Sequence, residues 1–100
     1  MDECTLPGAD RPLRLAEFDA LFAAAVRRVD KLGPTHARLH LTGPAGLEAT
    51  VRDLTARETE CCSFFAFTTT VDGADVTLDI RVPDRNAEVL AALVERAEAA

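Results

Sequence analysis

The segment 65–83 constrains the fold of this chain more than any other. Phe65-Ala66-Phe67-Thr68-Thr69-Thr70-Val71 is rich in aromatic and β-branched residues, and Asp72-Gly73 is a hairpin turn signal. The return run alternates, with Val76, Leu78, Ile80 and Val82 on one face and Asp75, Thr77, Asp79 and Arg81 on the other, until Pro83 stops it. A two-stranded ribbon with a single apolar face is marginal in water by itself. Amphipathic helices must cover it, and the rest of the chain is expected to supply them.

A helical stripe begins at Leu15 and continues through Phe18, Leu21, Phe22, Ala25, Val29 and Leu32, with Gly33-Pro34 as its stop. Glu17, Asp19, Arg27, Arg28 and Asp30 fall on its polar side. Ala37, Leu39 and Leu41 alternate with His36, Arg38 and His40, the pattern of a half-exposed strand, closed by Thr42-Gly43-Pro44. A second helix is expected from Leu47 to Cys61, with Leu47, Val51, Leu54 and Cys61 on one stripe that Glu58 interrupts. Asp84 is placed to cap a last helix whose stripe is Val89, Leu90, Leu93, Val94 and Ala97. Residues 1–12, broken by Pro7-Gly8 and Pro12, read as an irregular, flexible N-terminal segment in which Cys4-Thr5-Leu6 is available as a short edge strand.

The expected order is therefore α-β-α-β-β-α. That describes a single α+β domain over residues 1–100, with two layers and helices on one face of a small, mostly antiparallel sheet of three or four strands. Such a sheet has exposed edges and one polar face, and a homodimer formed through either would protect it.

The 17 acidic and 11 basic residues give a formal net charge of -6. This disfavours nucleic acid and anionic membrane surfaces as partners, since both require a basic face. No apolar run is long enough to span a bilayer, and Met1-Asp2-Glu3-Cys4 has neither the charge nor the apolar core of a signal peptide. With three cysteines, an odd number, the pattern is not that of a disulfide framework, and the expected compartment is the reducing cytoplasm.

The chemically distinctive feature is the adjacent pair Cys61-Cys62. A disulfide between sequence neighbours closes a strained ring, so a structural bridge is not expected there. Two thiols at a helix end can instead turn toward one soft ion, such as Hg, Cu(I) or Zn. Trivalent arsenic prefers three thiolates, and Cys4 is the one further thiol in the chain. The competing view is plain packing: Cys61 lies on the apolar stripe of its helix and suits a small core residue, whereas Cys62 lies about 100° round it. A nucleophilic role fits poorly, because the negative end of the helix dipole, Glu58 and Glu60 outweigh Arg57 and disfavour thiolate. His36 and His40 share a strand face but stand roughly 13 Å apart at about 3.3 Å per residue, too far to grip one ion. One of them remains available to a cysteine site. Phe64, Phe65 and Phe67 suit core aromatics and also an apolar wall beside the thiols. No carboxylate pair, phosphate loop or Ser–His–Asp order supports catalysis; Asp75, Asp79 and Asp84 read as a solvated strand face and a cap.

The run Arg52-Asp-Leu-Thr-Ala-Arg-Glu-Thr-Glu-Cys-Cys-Ser-Phe-Phe-Ala-Phe67 resembles a signature of small uncharacterised bacterial proteins, acidic-Cys-Cys-(Pro or Ser)-aromatic-aromatic. Cys4-Thr5-Leu6-Pro7 and the run from Pro12 to Asp19 are similar to the same group. Segments of this kind accompany MerR-type regulators of mercury and related soft metals. The resemblance implies a thiol-rich metal or metalloid context and points to Cys61 and Cys62. The chain lacks the helix-turn-helix and long dimerisation helix of such regulators, which leaves a sensing, buffering or accessory role. The alternative function is an interaction or dimerisation domain whose cysteines are only packed.

Overall fold

The structure, a computed structural model, describes residues 10–61 and 64–99. The chain runs α1 (Asp10–Ala25), β1 (Val26–Gly33), β2 (His36–Thr42), α2 (Leu47–Cys61), β3 (Ala66–Asp72), β4 (Asp75–Arg81), one turn of 3-10 helix (Asp84–Asn86) and α3 (Ala87–Ala99). The strands form one antiparallel sheet in the order β1-β2-β4-β3. Alternation does the sorting. Ala37, Leu39 and Leu41 of β2 and Val76, Leu78 and Ile80 of β4 are all buried. They form one core with Phe18, Leu21, Phe22 and Ala25 of α1, Leu47, Val51 and Leu54 of α2, and Leu90, Leu93, Val94 and Ala97 of α3. The domain is thus α+β, with its helices on one face of the sheet, as two layers with one-sided strands require.

The order differs from expectation in one place. The helix predicted to run on to Leu32 ends at Ala25, and the chain passes directly into β1. Val26, Val29 and Leu32 recur at three-residue steps and so fit a helix, yet two of them are β-branched and the segment pairs with β2 from Val26↔Leu41 to Gly33↔His36. Leu32, assigned to the apolar stripe, is 49% exposed. Gly33 is therefore the last residue of β1 and Pro34-Thr35 a hairpin turn, not a helix stop, and the sheet gains its fourth strand. The order is α-β-β-α-β-β-α.

Three smaller differences have local causes. α1 starts at Asp10, not near Leu15. Pro12 then falls in its first turn, where a missing N–H costs nothing. Asp84 makes no side-chain cap: the 3-10 turn before α3 is capped at Pro83, whose carbonyl accepts from Asn86 N at 2.8 Å. The Cys4-Thr5-Leu6 edge strand lies outside the described residues. The Asp72-Gly73 hairpin forms as expected. Gly73 takes a φ of 64°, and Ala74 does not share it: among the described residues, no non-glycine residue has positive φ. This is the II′ pattern, with glycine at the first central position.

Candidate thiol site at the end of α2

α2 forms because Leu47, Val51 and Leu54 recur at helical spacing and bury on the core. Its buried side continues through Thr55 and Glu58, which are 6% and 9% exposed. Glu58 thus does not interrupt the stripe as expected; it occupies it, one turn before Cys61. Thr55 Oγ1 donates to Val51 O at 2.8 Å, which satisfies the hydroxyl within the helix. Cys61 is the last residue of α2, so the vicinal pair straddles the helix terminus. The side chain of Cys61, and all of Cys62 and Cys4, lie outside the described residues.

The nearest cation on α2 is committed elsewhere. Arg57 grips both carboxylate oxygens of Glu17, at 3.0 and 2.6 Å, and reaches Asp53 at 3.0 Å. Its pKa is raised, chiefly by the hydrogen bond to Glu17, which together with the charges of Asp53 and Glu17 outweighs the opposing effect of burial. Arg57 therefore offers no spare charge to a thiolate four residues on. The last turn of α2 holds no basic residue, and a helix C-terminus is the negative end of the helix dipole. A bare, pre-activated thiolate is disfavoured here. An ion that brings its own positive charge is not.

Beyond the pair the chain is aromatic. The Phe64 and Phe65 rings lie 4.7 Å apart, and Phe65 stacks on Phe67 at 5.0 Å. Phe65 is buried, and its two neighbours pack against the core. The stack joins the end of α2 to the start of β3 and walls that end of the domain with hydrocarbon.

Topology brings a second chain end to the same place. Val26 opens β1 opposite Leu41, near the end of β2, so α1 finishes and α2 starts at one end of the sheet. α2 finishes at the other end, where Ala66 opens β3 opposite Arg81. The Glu17–Arg57 ion pair ties α1 to α2, and because α1 finishes at the end of the sheet where α2 starts, the two run in opposite senses. From that pair, Asp10 lies about 10 Å and Cys61 about 6 Å further along, at about 1.5 Å of rise per residue. The start of α1 and the end of α2 thus share one end of the domain.

The histidines are elsewhere. His36 and His40 lie on the open face of the sheet, opposite the helices, and each donates from Nε2 to an aspartate at 2.8 Å: His36 to Asp79 and His40 to Asp30. Arg38 Nε also donates to Asp79, at 2.9 Å. Asp79, expected to be solvated, is only 8% exposed beneath these two partners. Burial pushes its carboxyl upward, but the hydrogen bonds from His36 and Arg38 outweigh this and hold it below the ordinary range. Arg28, then His40, lower Asp30 to about 2. Each histidine is thus held by its aspartate on the sheet face opposite the one on which α2 packs. The aspartate partners were not singled out from the sequence; the available signal was the opposition of His36-Arg38-His40 to Asp75 and Asp79 on neighbouring alternating strands.

Among the described residues, no three His, Cys, Asp or Glu side chains converge in a group suited to a metal ion. No described helix is long and apolar enough to cross a membrane. Comparison of the chain with family models, curated proteins and solved structures yields no match.

Proposed function

We propose that this domain captures a soft metal or metalloid ion, Hg(II), As(III), Cu(I) or Zn(II), through the vicinal thiols of Cys61 and Cys62, with Cys4 as third sulfur for an ion that takes three, in a sensing, buffering or accessory role. The observation that carries this reading is the shared end of α1 and α2. Cys4 precedes Asp10 by six residues, a reach of at most roughly 20 Å in an extended chain, and that chain departs from the same end of the domain at which α2 stops on Cys61. The chemistry agrees. Thiolates prefer soft ions, the stacked rings of Phe64, Phe65 and Phe67 supply an apolar wall of the kind that strengthens sulfur–metal bonds, and an ion that brings its own positive charge deprotonates the thiols it binds.

Binding should therefore release protons and tighten as pH rises. Titration with each ion, read by native mass spectrometry and thiolate-to-metal absorption, is the test. Cys61→Ser and Cys62→Ser should each abolish tight binding, while Cys4→Ser should weaken As(III) and spare Hg(II). Binding no tighter than that of the denatured chain would end the proposal, and undiminished As(III) binding by Cys4→Ser would remove the third sulfur.

A further inference from the structure

The two edges of the sheet are built differently. β1, at one edge, slips register twice, between Val26 and Arg28 and between Lys31 and Gly33, and carries Arg27, Arg28, Asp30 and Lys31. Bulges and charges of this kind block strand addition. β3, at the other edge, holds unbroken register with β4 from Ala66↔Arg81 to Asp72↔Asp75 and has no charged residue from Ala66 to Val71. Val71 is 39% exposed on it. Among the described residues, no strand pairs with its outer side.

We propose that the outer edge of β3 is a dimerisation surface, on which β3 of a second copy pairs antiparallel about a two-fold axis at Thr69. The backbone sets the register. The two-residue loop makes Asp72 and Asp75 a hydrogen-bonded pair, so Thr70 and Thr68 also bond inward to β4, while Val71, Thr69 and Phe67 turn their N–H and C=O groups outward. A two-fold at Thr69 sets these three residues against the same three of the second copy. Thr69 meets Thr69, Phe67 meets Val71, and every outward donor finds an acceptor. Side chains agree with this register: the exposed Val71 is covered by an aromatic ring, Thr68 lies opposite Thr70, and Asp72 faces Ala66, so no like charges oppose each other. The partner is a second copy because the strand is complementary to itself in this one register. Two four-stranded sheets become one of eight strands, closed by symmetry against further addition. The inference is independent of the thiol site.

Light scattering and amide hydrogen exchange on the full chain test it. The mass should rise from monomer to dimer with concentration, and the amides of Phe67, Thr69 and Val71 should gain protection in step. Thr69→Pro removes a donor that faces water in the monomer, a substitution that edge strands tolerate, and Val71→Lys adds a charge to the covered position. Each should raise the dissociation constant roughly tenfold or more with an unchanged far-ultraviolet spectrum. A monomer at every concentration overturns the proposal. So does a dimer that survives both substitutions, since its interface lies elsewhere, and so does concentration-independent protection of the three amides, which would mean that the chain covers its own edge.

Discussion

The two β-hairpins of this domain do the same architectural job by different means. Each is followed by a helix, α2 after the first and α3 after the second, and each gives its inner strand, β2 or β4, to the centre of the sheet. The second is regular: one register, strict alternation and a tight turn on Gly73. The first is irregular, with two register slips and an outer strand of mostly exposed charge. A protein needs strict alternation only where a strand is buried on one face along its length. An edge strand that touches the core at a few points is free to carry charges and bulges, which keep other chains away.

The sharpest way to break this comparison is to truncate one leucine in each hairpin. Leu78, in β4, is fully buried. Leu78→Ala should destabilise the domain by about 2–5 kcal/mol, the range for a buried leucine that leaves a cavity. Leu32, in β1, is 49% exposed, and Leu32→Ala should stay within about 0.5 kcal/mol of the parent. Urea denaturation measures both. A large loss at Leu32 would mean that residues 26–32 bury an apolar stripe after all, as a continuing helix would.

The same contrast explains what was legible in the sequence. The second hairpin could be read because its period of two has no helical alternative and Asp72-Gly73 marks its turn. α2 and α3 could be read because their leucines and valines recur at three and four. β1 could not, because Val26, Val29 and Leu32 fit a helical step as well as an irregular strand. Only the presence of β2 as a partner decides between them, and that is tertiary information. At the candidate site, the position of Cys61 at a helix end was legible from the change of period at Phe65. The burial of Glu58 was not, since what covers an acid on an apolar stripe comes from other elements. The histidine–aspartate pairs were hidden for a related reason. Arg38 lies directly opposite Asp79, but His36 and His40 meet their aspartates on diagonals that only a known register reveals.

That polar face supplies the next test. Asp79 accepts from His36 and Arg38, and its carboxyl is held below its ordinary value. A depressed carboxyl contributes stability above the unfolded value of about 3.9 and loses it as pH falls through the folded value. Asp79→Asn should cost about 1–3 kcal/mol at neutral pH, because it removes a charged acceptor beneath two donors. It should also flatten the decline of stability on the acid side of pH 4. Asp30→Asn should do less at neutral pH, since the Asp30 side chain is 30% exposed against 11% for Asp79. Equal losses from the two substitutions would show that burial by cross-strand neighbours adds nothing to the pairing.

The smallest expected effect separates the two turns. Gly73 sits at a φ of 64°, where a Cβ is strained even though nothing lies within 4 Å of where it would be. Gly73→Ala should therefore cost about 1 kcal/mol through backbone conformation alone. Gly33 has equally open space around the added Cβ but no positive φ. There the alanine loses less conformational freedom on folding than glycine did, so Gly33→Ala should be neutral or stabilise by about 0.5 kcal/mol. Opposite signs from the same substitution, measured by thermal unfolding, would show that the turn of the second hairpin depends on its glycine while the first hairpin does not depend on the glycine that flanks its turn. A cost at Gly33 as large as that at Gly73 would mean that both turns are held to comparable geometry, and the difference between the hairpins would then lie in their edge strands alone.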